Sequence, residues 1–266
     1  MKFLTLKHSN PLSVFLMFIA FSLILFLAGC QGGQQQSTEE TDTQEEMSEA
    51  NEEAADEDWV VLFDGESVDN WRGYKNDSFP TQGWRIDGEA LMCVGSGKGE
   101  AGGAGGDIIT RDMYEDFELE FEWKISEGGN SGVFYMAREI EDEPIYKSAP
   151  EYQVLDNERH ADAKLGKDGN RQAASLYDLI PADPQNAKPA GEWNTGKILK
   201  YQGTVAHFMN GEVVLEYHLW TDDWNEMVEN SKFADFEPFA DYSEGHIGLQ
   251  DHGNDVWYRN IRIKTM

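Results

Sequence analysis

The stretch that decides the fold is Phe117-Glu118-Leu119-Glu120-Phe121-Glu122-Trp123, in which apolar and acidic residues alternate strictly. Successive side chains of a β-strand point to opposite faces of the sheet, so the apolar residues share one face and the glutamates share the other. This predicts a strand with one face in the core. The glutamate face is either a solvated outer surface or the lining of a concave cleft. Solvent is the favoured interpretation for Glu118 and Glu120, and Glu122 is left open.

Short runs of the same kind recur over residues 59–266, divided by Gly, Asp, Asn and Pro, without a long segment of helical period. Two dipeptides, Asp87-Gly88 and Asn210-Gly211, predict β-hairpins because both suit a tight turn with positive φ. The number and spacing of the runs predict an all-β domain, a sandwich of two antiparallel sheets. Further strands are predicted at residues 60–63, 133–137, 198–201, 246–250 and 257–264, and a polar-aromatic loop at residues 233–239.

The N-terminus has the pattern of an export signal. Lys2 and Lys7 precede an apolar run over residues 12–27, which ends in Leu27-Ala28-Gly29-Cys30. Small residues before a cysteine are typical of a bacterial lipoprotein signal, and the run is short for the alternative, a transmembrane helix. We therefore expect residues 1–29 to be a signal peptide and Cys30 to carry lipid. The protein would then be anchored in the bacterial cell envelope, at the outer membrane, facing the periplasm or the cell surface.

Residues 30–58 predict a disordered tether between the lipid and the folded domain, residues 59–266. Residues 37–58 contain eleven acidic residues and no Lys or Arg, so self-repulsion is strong and little apolar surface can be buried. Binding of a cation or a partner by this acidic run is the alternative.

The formal net charge of the whole chain is -29, which argues against nucleic acid as a partner because such binding rests largely on Lys and Arg. Membrane contact is expected through the lipid only.

The segment Glu151-Tyr152-Gln153-Val154-Leu155-Asp156 predicts a polar site. Strand alternation puts Glu151 and Gln153 on one face, and a β-bulge before Asp156 would turn its carboxylate to the same face. Bulges of this kind often re-aim side chains beside active sites. The segment therefore predicts a carboxylate site in a groove of the sheet, and an exposed polar strand face is the alternative.

Several segments follow one another along the chain after the acidic tether. They are Leu62-Phe63-Asp64-Gly65 with Trp71, Gly129-Asn130-Ser131-Gly132-Val133-Phe134, Glu151-Tyr152-Gln153-Val154-Leu155-Asp156-Asn157, Gly191-Glu192-Trp193-Asn194, and Gly245-His246-Ile247-Gly248-Leu249-Gln250-Asp251-His252-Gly253 followed by Trp257-Tyr258-Arg259-Asn260-Ile261. In this order they resemble the 3-keto-disaccharide hydrolase family. The resemblance implies a concanavalin-like jelly roll whose concave face takes a sugar, and cleavage of glycosidic bonds in 3-keto-disaccharides or 3-keto-glycosides.

The keto group determines the chemistry that such a site needs. A carbonyl at C3 makes the hydrogen on C2 removable, and the enolate can expel the glycosidic oxygen at C1 before water adds. The site needs a base, a group that stabilises the enolate and an acid for the leaving oxygen. We predict that Glu151, Asp156 and His252 transfer these protons, His252 as base or leaving-group acid because imidazole titrates in the useful range. Glu151 and Asp156 could instead hold a divalent cation such as Ca²⁺, Mg²⁺ or Mn²⁺.

Substrate contacts are predicted from polar side chains near these segments and from one ring. Arg138 would support the negative charge of the enolate, and Tyr177 would pack at the mouth of the groove against the apolar face of a sugar. The alternative for each polar candidate is that it only braces a loop. The remaining predicted substrate-binding residues are Asn130, Gln153, Asn194, Gln250 and Asp251.

The sequence leaves two alternative functions open. The Glu151 strand is similar to the Glu-x-Asp-x-x-Glu strand of laminarinase-like glycosidases, which share the jelly-roll fold, and this implies an ordinary glycoside hydrolase. Here Gln153 replaces the helper acid and Asp156 is a shorter carboxylate at the acid position, which weakens a double-displacement mechanism. A sugar-binding module without catalysis is the other alternative, because jelly rolls also serve lectins.

Overall fold

The computed structural model describes residues 58–97 and 104–266, all of which belong to one unit spanning residues 51–266. The predicted signal peptide, the lipidated Cys30 and nearly all of the predicted tether lie outside these residues and stay predictions. Within the described ranges, no helix combines the length and the apolar composition needed to cross a membrane.

Two antiparallel sheets form the domain. The elements are β1 Trp59–Phe63, β2 Trp71–Gly73, β3 Trp84–Asp87, β4 Ala90–Cys93, β5 Ile108–Thr110, β6 Phe117–Ile125, β7 Asn130–Ala137, β8 Glu151–Leu155, β9 Asn194–Tyr201, β10 Thr204–Met209, β11 Glu212–His218, α1 Asp222–Glu229, β12 His246–Leu249 and β13 Val256–Thr265, with 3-10 turns at Ile145–Lys147 and Asp162–Lys164. The larger sheet has the order β11-β10-β9-β6-β13-β4-β3, with β1 also paired to β13, and the smaller has the order β2-β5-β12-β7-β8. The predicted all-β jelly-roll sandwich is thereby confirmed.

Strand β6 shows the alternation that its sequence predicts. Its apolar side chains are buried between the sheets, and its glutamates face outward from the larger sheet. Each glutamate is ion-paired, and Glu120 and Glu122 also line an open depression on this outer face. The β6 glutamates therefore lie on the larger sheet, whereas Glu151 lies on β8 of the smaller sheet. The pairs are Glu118 with Lys197 at 2.8 Å, Glu120 with Arg262 at 2.8 Å and Glu122 with Arg259 at 2.7 Å.

Both predicted hairpins form, one of them with a shifted turn. In the β10–β11 turn, Asn210 and Gly211 have φ of 50° and 86°, as the dipeptide predicts. In the β3–β4 turn, Asp87 pairs with Ala90, so the central pair begins at Gly88, whose φ is 65°. The predicted turn at Asp87-Gly88 is thus one residue too early, because Asp87 still belongs to the ladder.

A hydrogen-bonded chain of Tyr217, Tyr135 and His207 crosses the buried core between the sheets. The His207 Nδ1 atom lies 2.9 Å from the Ala174 carbonyl oxygen, which can only accept, so Nδ1 carries the proton. Nε2 then accepts from the Tyr135 hydroxyl at 2.9 Å, and Tyr135 accepts from Tyr217 at 2.6 Å. Burial lowers the pKa of His207 to about 4, although the Ala174 carbonyl opposes this shift. The ring is therefore a neutral structural group.

Acid should destabilise the fold through His207. An unfolded histidine has a pKa of 6.5 and the folded one about 4, so this stability is fully present above pH 6.5 and is lost as pH falls toward 4. His207→Gln keeps a donor for Ala174 and an acceptor for Tyr135 but cannot titrate. Between pH 7 and pH 4.5, the free energy of unfolding of the parent should fall by about 2 kcal/mol more than that of the variant. Urea titrations at both pH values measure this, and equal losses would contradict the assignment.

Candidate active site

A pocket of about 470 Å³ lies on the outer face of the five-stranded sheet. Strand β8 forms its floor: Tyr152 and Val154 point into the core between the sheets, so Glu151 and Gln153 point outward into the pocket. The predicted polar-aromatic loop, residues 233–239, is confirmed and forms part of the wall. The lining residues are Asp107, Asn130, Tyr146, Ala149, Glu151, Gln153, Tyr177, Lys232, Phe233, Phe236, Phe239, Gln250, Asp251 and His252.

Glu151 occupies space that a glycine leaves free. On the neighbouring strand β7, a Cβ atom added to Gly132 would overlap the Glu151 carboxylate. The backbone of Gly132 does not have a positive φ, so this glycine is required by close approach rather than by conformation. Glu151 is only 7% exposed, so its side chain lies flat against the sheet on the pocket floor.

The environment of Glu151 favours its neutral form. Burial raises the pKa of Glu151 to about 8, Lys232 lowers it, and the nearby Asp107 and Asp162 raise it. Nothing in the described part of the chain donates a hydrogen bond to this carboxylate. A carboxyl group whose pKa lies near neutrality and which has no fixed partner is well suited to proton transfer.

Asp107 is a half-buried carboxyl group in the pocket, and sequence reasoning missed it. Burial raises its pKa to about 7, while a hydrogen bond from the Asp251 N–H lowers it. Asp251 itself accepts 3.0 Å bonds from the N–H groups of Gly105 and Gly106, so it fixes the chain just before Asp107. The available signal was a single acid between a glycine-rich run and the buried strand β5.

Two amides and one imidazole form the other polar side of the pocket. The Asn130 Nδ2 atom lies 3.3 Å from His252 Nε2, which couples the orientation of the amide to that of the ring. The Asn130 Oδ1 and Gln250 Oε1 atoms are buried and have no partner among the described residues. Buried acceptors without partners are costly, so a ligand with hydroxyl groups would be stabilised here.

The structure brings seven of the ten predicted site residues to this pocket. Gln153 is partly engaged, because its Oε1 accepts a 3.0 Å bond from the Val154 N–H. Tyr177 lies in the wall, and its hydroxyl donates to Asp162 at 2.8 Å. The positions agree with the predictions, and the roles stay predictions. The seven residues are Asn130, Glu151, Gln153, Tyr177, Gln250, Asp251 and His252.

The prediction for Asp156 is wrong. Strands β7 and β8 pair in regular register throughout, so the bulge that would aim Asp156 into the groove is absent from this pair. Its carboxylate instead accepts from the N–H groups of Gly128 at 2.7 Å, Glu158 at 3.0 Å and Arg159 at 3.3 Å. Burial opposes ionisation, but these donors and the Arg159 charge keep the pKa of Asp156 below its usual value. Asp156 therefore braces a loop.

Glu151 and Asp156, the alternative cation ligands, do not come together, since only Glu151 reaches the pocket. Across residues 58–97 and 104–266, no group of three or more His, Cys, Asp and Glu side chains could hold a metal ion.

Arg138 and Asn194 also lie away from the pocket, contrary to prediction. The Arg138 guanidinium lies 5.0 Å from the centre of the Tyr242 ring and 3.4 Å from the Glu244 carboxylate. The Asn194 Oδ1 atom accepts from the Lys188 N–H at 2.8 Å and from the Asn210 amide at 2.9 Å. Both side chains hold neighbouring segments together, which is the bracing alternative.

A jelly-roll sandwich with an aromatic-walled, amide-bearing and acidic pocket on one sheet face is typical of proteins that act on carbohydrates or bind them. Comparison with known proteins gives the family. Residues 58–264 match the model of the 3-keto-alpha-glucoside-1,2-lyase-like domain, and the chain belongs to this family. The resemblance predicted from the sequence motifs is thereby confirmed.

Individual relatives agree with this assignment. The chain is 54% identical over 228 residues to a 3-keto-disaccharide hydrolase of Bacteroides thetaiotaomicron, and the match covers 78% of each protein. Two solved structures from Parabacteroides distasonis, both described as candidate glycosyl hydrolases, are each 26% identical to it. The first has a TM-score of 0.71 and covers 81% of this chain and 97% of its own. The second has a TM-score of 0.61 and covers 78% and 99%.

The contact between Gly132 and Glu151 can be tested without any substrate. Gly132→Ala should lower the free energy of unfolding by about 1–3 kcal/mol, because the new methyl group overpacks against the Glu151 side chain. In a Glu151→Ala background the same change should cost less than about 0.5 kcal/mol, because the obstacle is gone. Urea unfolding of the four proteins measures this coupling.

Gly73→Ala is the matched control, since Gly73 is also a strand glycine of the smaller sheet and its added Cβ would lie 3.2 Å from the Asn76 Cβ. Its cost should be the same in both backgrounds. An equal cost of Gly132→Ala with and without the Glu151 side chain would refute the close approach.

Proposed function

We propose that this protein is an enzyme that cleaves the glycosidic bond of 3-keto-disaccharides or 3-keto-glycosides. The observation that carries the proposal is Glu151, a buried carboxyl group with a pKa raised to about 8 on the floor of a sugar-sized pocket. Support comes from the relative at 54% identity, which is named a 3-keto-disaccharide hydrolase.

In the proposed reaction, Glu151 in its ionised form removes the proton from C2 of the keto sugar. The electron pair of the C2–H bond moves toward the C3 carbonyl and gives an enolate. The enolate then expels the oxygen on C1, and C1=C2 forms as the C1–O bond breaks. Water adds to C1 of the unsaturated sugar to complete the hydrolysis. A carboxylate with a raised pKa is a stronger base than an ordinary one, and this suits the first step.

His252 is the proposed second proton-transfer group, serving as acid for the leaving oxygen or as the base that activates water. Its contact with Asn130 holds the ring at the side of the pocket. The partnerless Oδ1 of Asn130 and Oε1 of Gln250 are proposed to accept hydrogen bonds from sugar hydroxyls. The rings of Tyr146 and Phe236, at the pocket wall, offer apolar surface to the sugar ring.

An ordinary glycoside hydrolase is the second candidate function. It requires two carboxyl groups flanking the scissile bond. The sequence-based partner, Asp156, is held elsewhere by backbone N–H groups, but Asp107 shares the pocket with Glu151 and favours this candidate. The keto requirement of the substrate separates the two functions.

We also propose that the enzyme acts at the bacterial cell envelope, anchored at the outer membrane by a lipid on Cys30. The support is the sequence Leu27-Ala28-Gly29-Cys30 after a basic start and an apolar run. Its substrate would then be a carbohydrate met outside the cytoplasm.

The parent protein should release product from a 3-keto-glucoside and not from the same glucoside without the keto group, because only the ketone makes C2–H removable. Glu151→Gln should lower kcat/KM by at least about 10²-fold, as expected for loss of a general base. Glu122→Gln, which changes an ion-paired glutamate on the opposite sheet, should match the parent. Product analysis by NMR decides the matter. Equal release from the unoxidised glucoside, or full activity of Glu151→Gln, would disprove the proposal.

The activity should rise with pH. A base must be ionised, and the pKa of Glu151 in the free enzyme is about 8, so kcat/KM should increase up to and through this pH. Asp107, with a pKa of about 7, titrates nearby, so the apparent value belongs to the pair. Initial rates between pH 5.5 and 9.5 measure the profile. A decrease with rising pH would show that Glu151 acts in its protonated form.

A further inference from the structure

The proposed reaction moves negative charge from the Glu151 carboxylate to the C3 oxygen of the sugar. Two other carboxyl groups line the pocket, those of Asp107 and Asp251. They would repel an enolate oxygen unless a positive charge or hydrogen-bond donors faced it. Arg138, which the sequence suggested for this task, lies elsewhere.

Lys232 supplies the missing positive charge. It follows α1 at the start of the aromatic loop, and of the described residues that line the pocket it is the only lysine or arginine. Its ammonium and the Glu151 carboxylate act on each other: each is among the groups that shift the pKa of the other. The ammonium and the proposed base therefore face the same small space.

Two neighbours contact the Lys232 ammonium at the pocket wall. Its Nζ lies 3.9 Å from the centre of the Tyr177 ring and 3.8 Å from Asp178 Oδ2. Tyr177 and Asp178 are in turn held by Asp162 and Arg171, which link the whole wall in one polar network. These contacts keep the ammonium at the pocket wall, where it can stabilise charge that develops in front of it.

These contacts leave the Lys232 ammonium able to donate hydrogen bonds to a ligand. The Asp178 carboxylate already pairs with Arg171 through its Oδ1, so its charge is compensated without Lys232. The Lys232 Nζ makes no hydrogen bond to any described residue, and its side chain is 39% exposed. Its three N–H donors are therefore available to a ligand.

We propose that Lys232 is a catalytic residue that donates a hydrogen bond to the C3 keto oxygen and stabilises the enolate. The inference rests on the proposed function and adds a residue to it. The proton of C2 goes to Glu151, the electron pair of the C2–H bond ends on the C3 oxygen, and Lys232 keeps its own proton throughout.

The test compares Lys232→Met and Lys232→Arg with the parent in D₂O, using a 3-keto-glucoside. NMR follows deuterium entering at C2, which reports proton removal alone, and product release reports the full reaction. Lys232→Met should slow C2 exchange at saturating substrate by about 10²-fold, the size of effect known for loss of one oxyanion donor. Lys232→Arg should recover about tenfold of that loss because the charge is kept. The affinity of either variant for the 3-keto-glucoside should differ from that of the parent by less than about threefold, because the bound ketone is neutral.

Lys197→Met is the matched control. Lys197 also has an ion pair, at 2.8 Å to Glu118, and a ring contact, at 4.3 Å to Phe208, but it lies on the opposite sheet. It should leave exchange and turnover at the parent level. Thermal unfolding checks that each variant folds, and Lys232→Gln takes the place of Lys232→Met if the latter does not.

Two results would overturn the role of Lys232 while leaving the proposed function intact. One is C2 exchange in Lys232→Met within about threefold of that in Lys197→Met. The other is a loss of affinity with unchanged exchange at saturation, which would make Lys232 a binding residue only. Failure of the parent itself to exchange C2–H or to release product would instead refute the proposed function.

Discussion

The site depends on one constraint, the burial of the Glu151 carboxyl group against the backbone of a neighbouring strand. The absence of a side chain at Gly132 lets Glu151 lie on the sheet. No described group of the sheet donates a hydrogen bond to its carboxylate. Burial then raises its pKa to about 8, where an acid and its conjugate base are both accessible near neutral pH. A more exposed glutamate at the same position would be an ordinary, weak base.

The rest of the fold holds that carboxyl group in place and shields it from solvent. The core between the sheets, where the Phe121 and Tyr152 rings meet edge to face at 5.3 Å, holds β8 rigidly from below. From above, Phe233 stacks on Phe239 with the ring centres 4.2 Å apart and closes the wall that carries Lys232. The pocket therefore combines a rigid floor with a cover of loops, an arrangement in which loops carry much of the chemistry.

The sequence could predict what depends on local periodicity. Strict alternation identified the two faces of β6 and the shared face of Glu151 and Gln153, and the family motifs brought His252 to the same site. Asp156 could not be placed, because its direction depends on whether β7 and β8 pair with a bulge, and the local sequence does not encode that pairing. Lys232 was not predicted, since no periodicity relates a residue on a long loop to a strand 81 positions earlier in the chain.

A direct titration of Glu151 tests whether its buried carboxyl group is the base. Carbon-13 NMR of the side-chain carboxyl group, assigned by loss of the signal in Glu151→Gln, follows its ionisation in the free protein. We predict a midpoint of about 8, well above the ordinary value of 4.5. A midpoint near 4.5 would mean that the carboxylate is solvated and would contradict its role as the buried base.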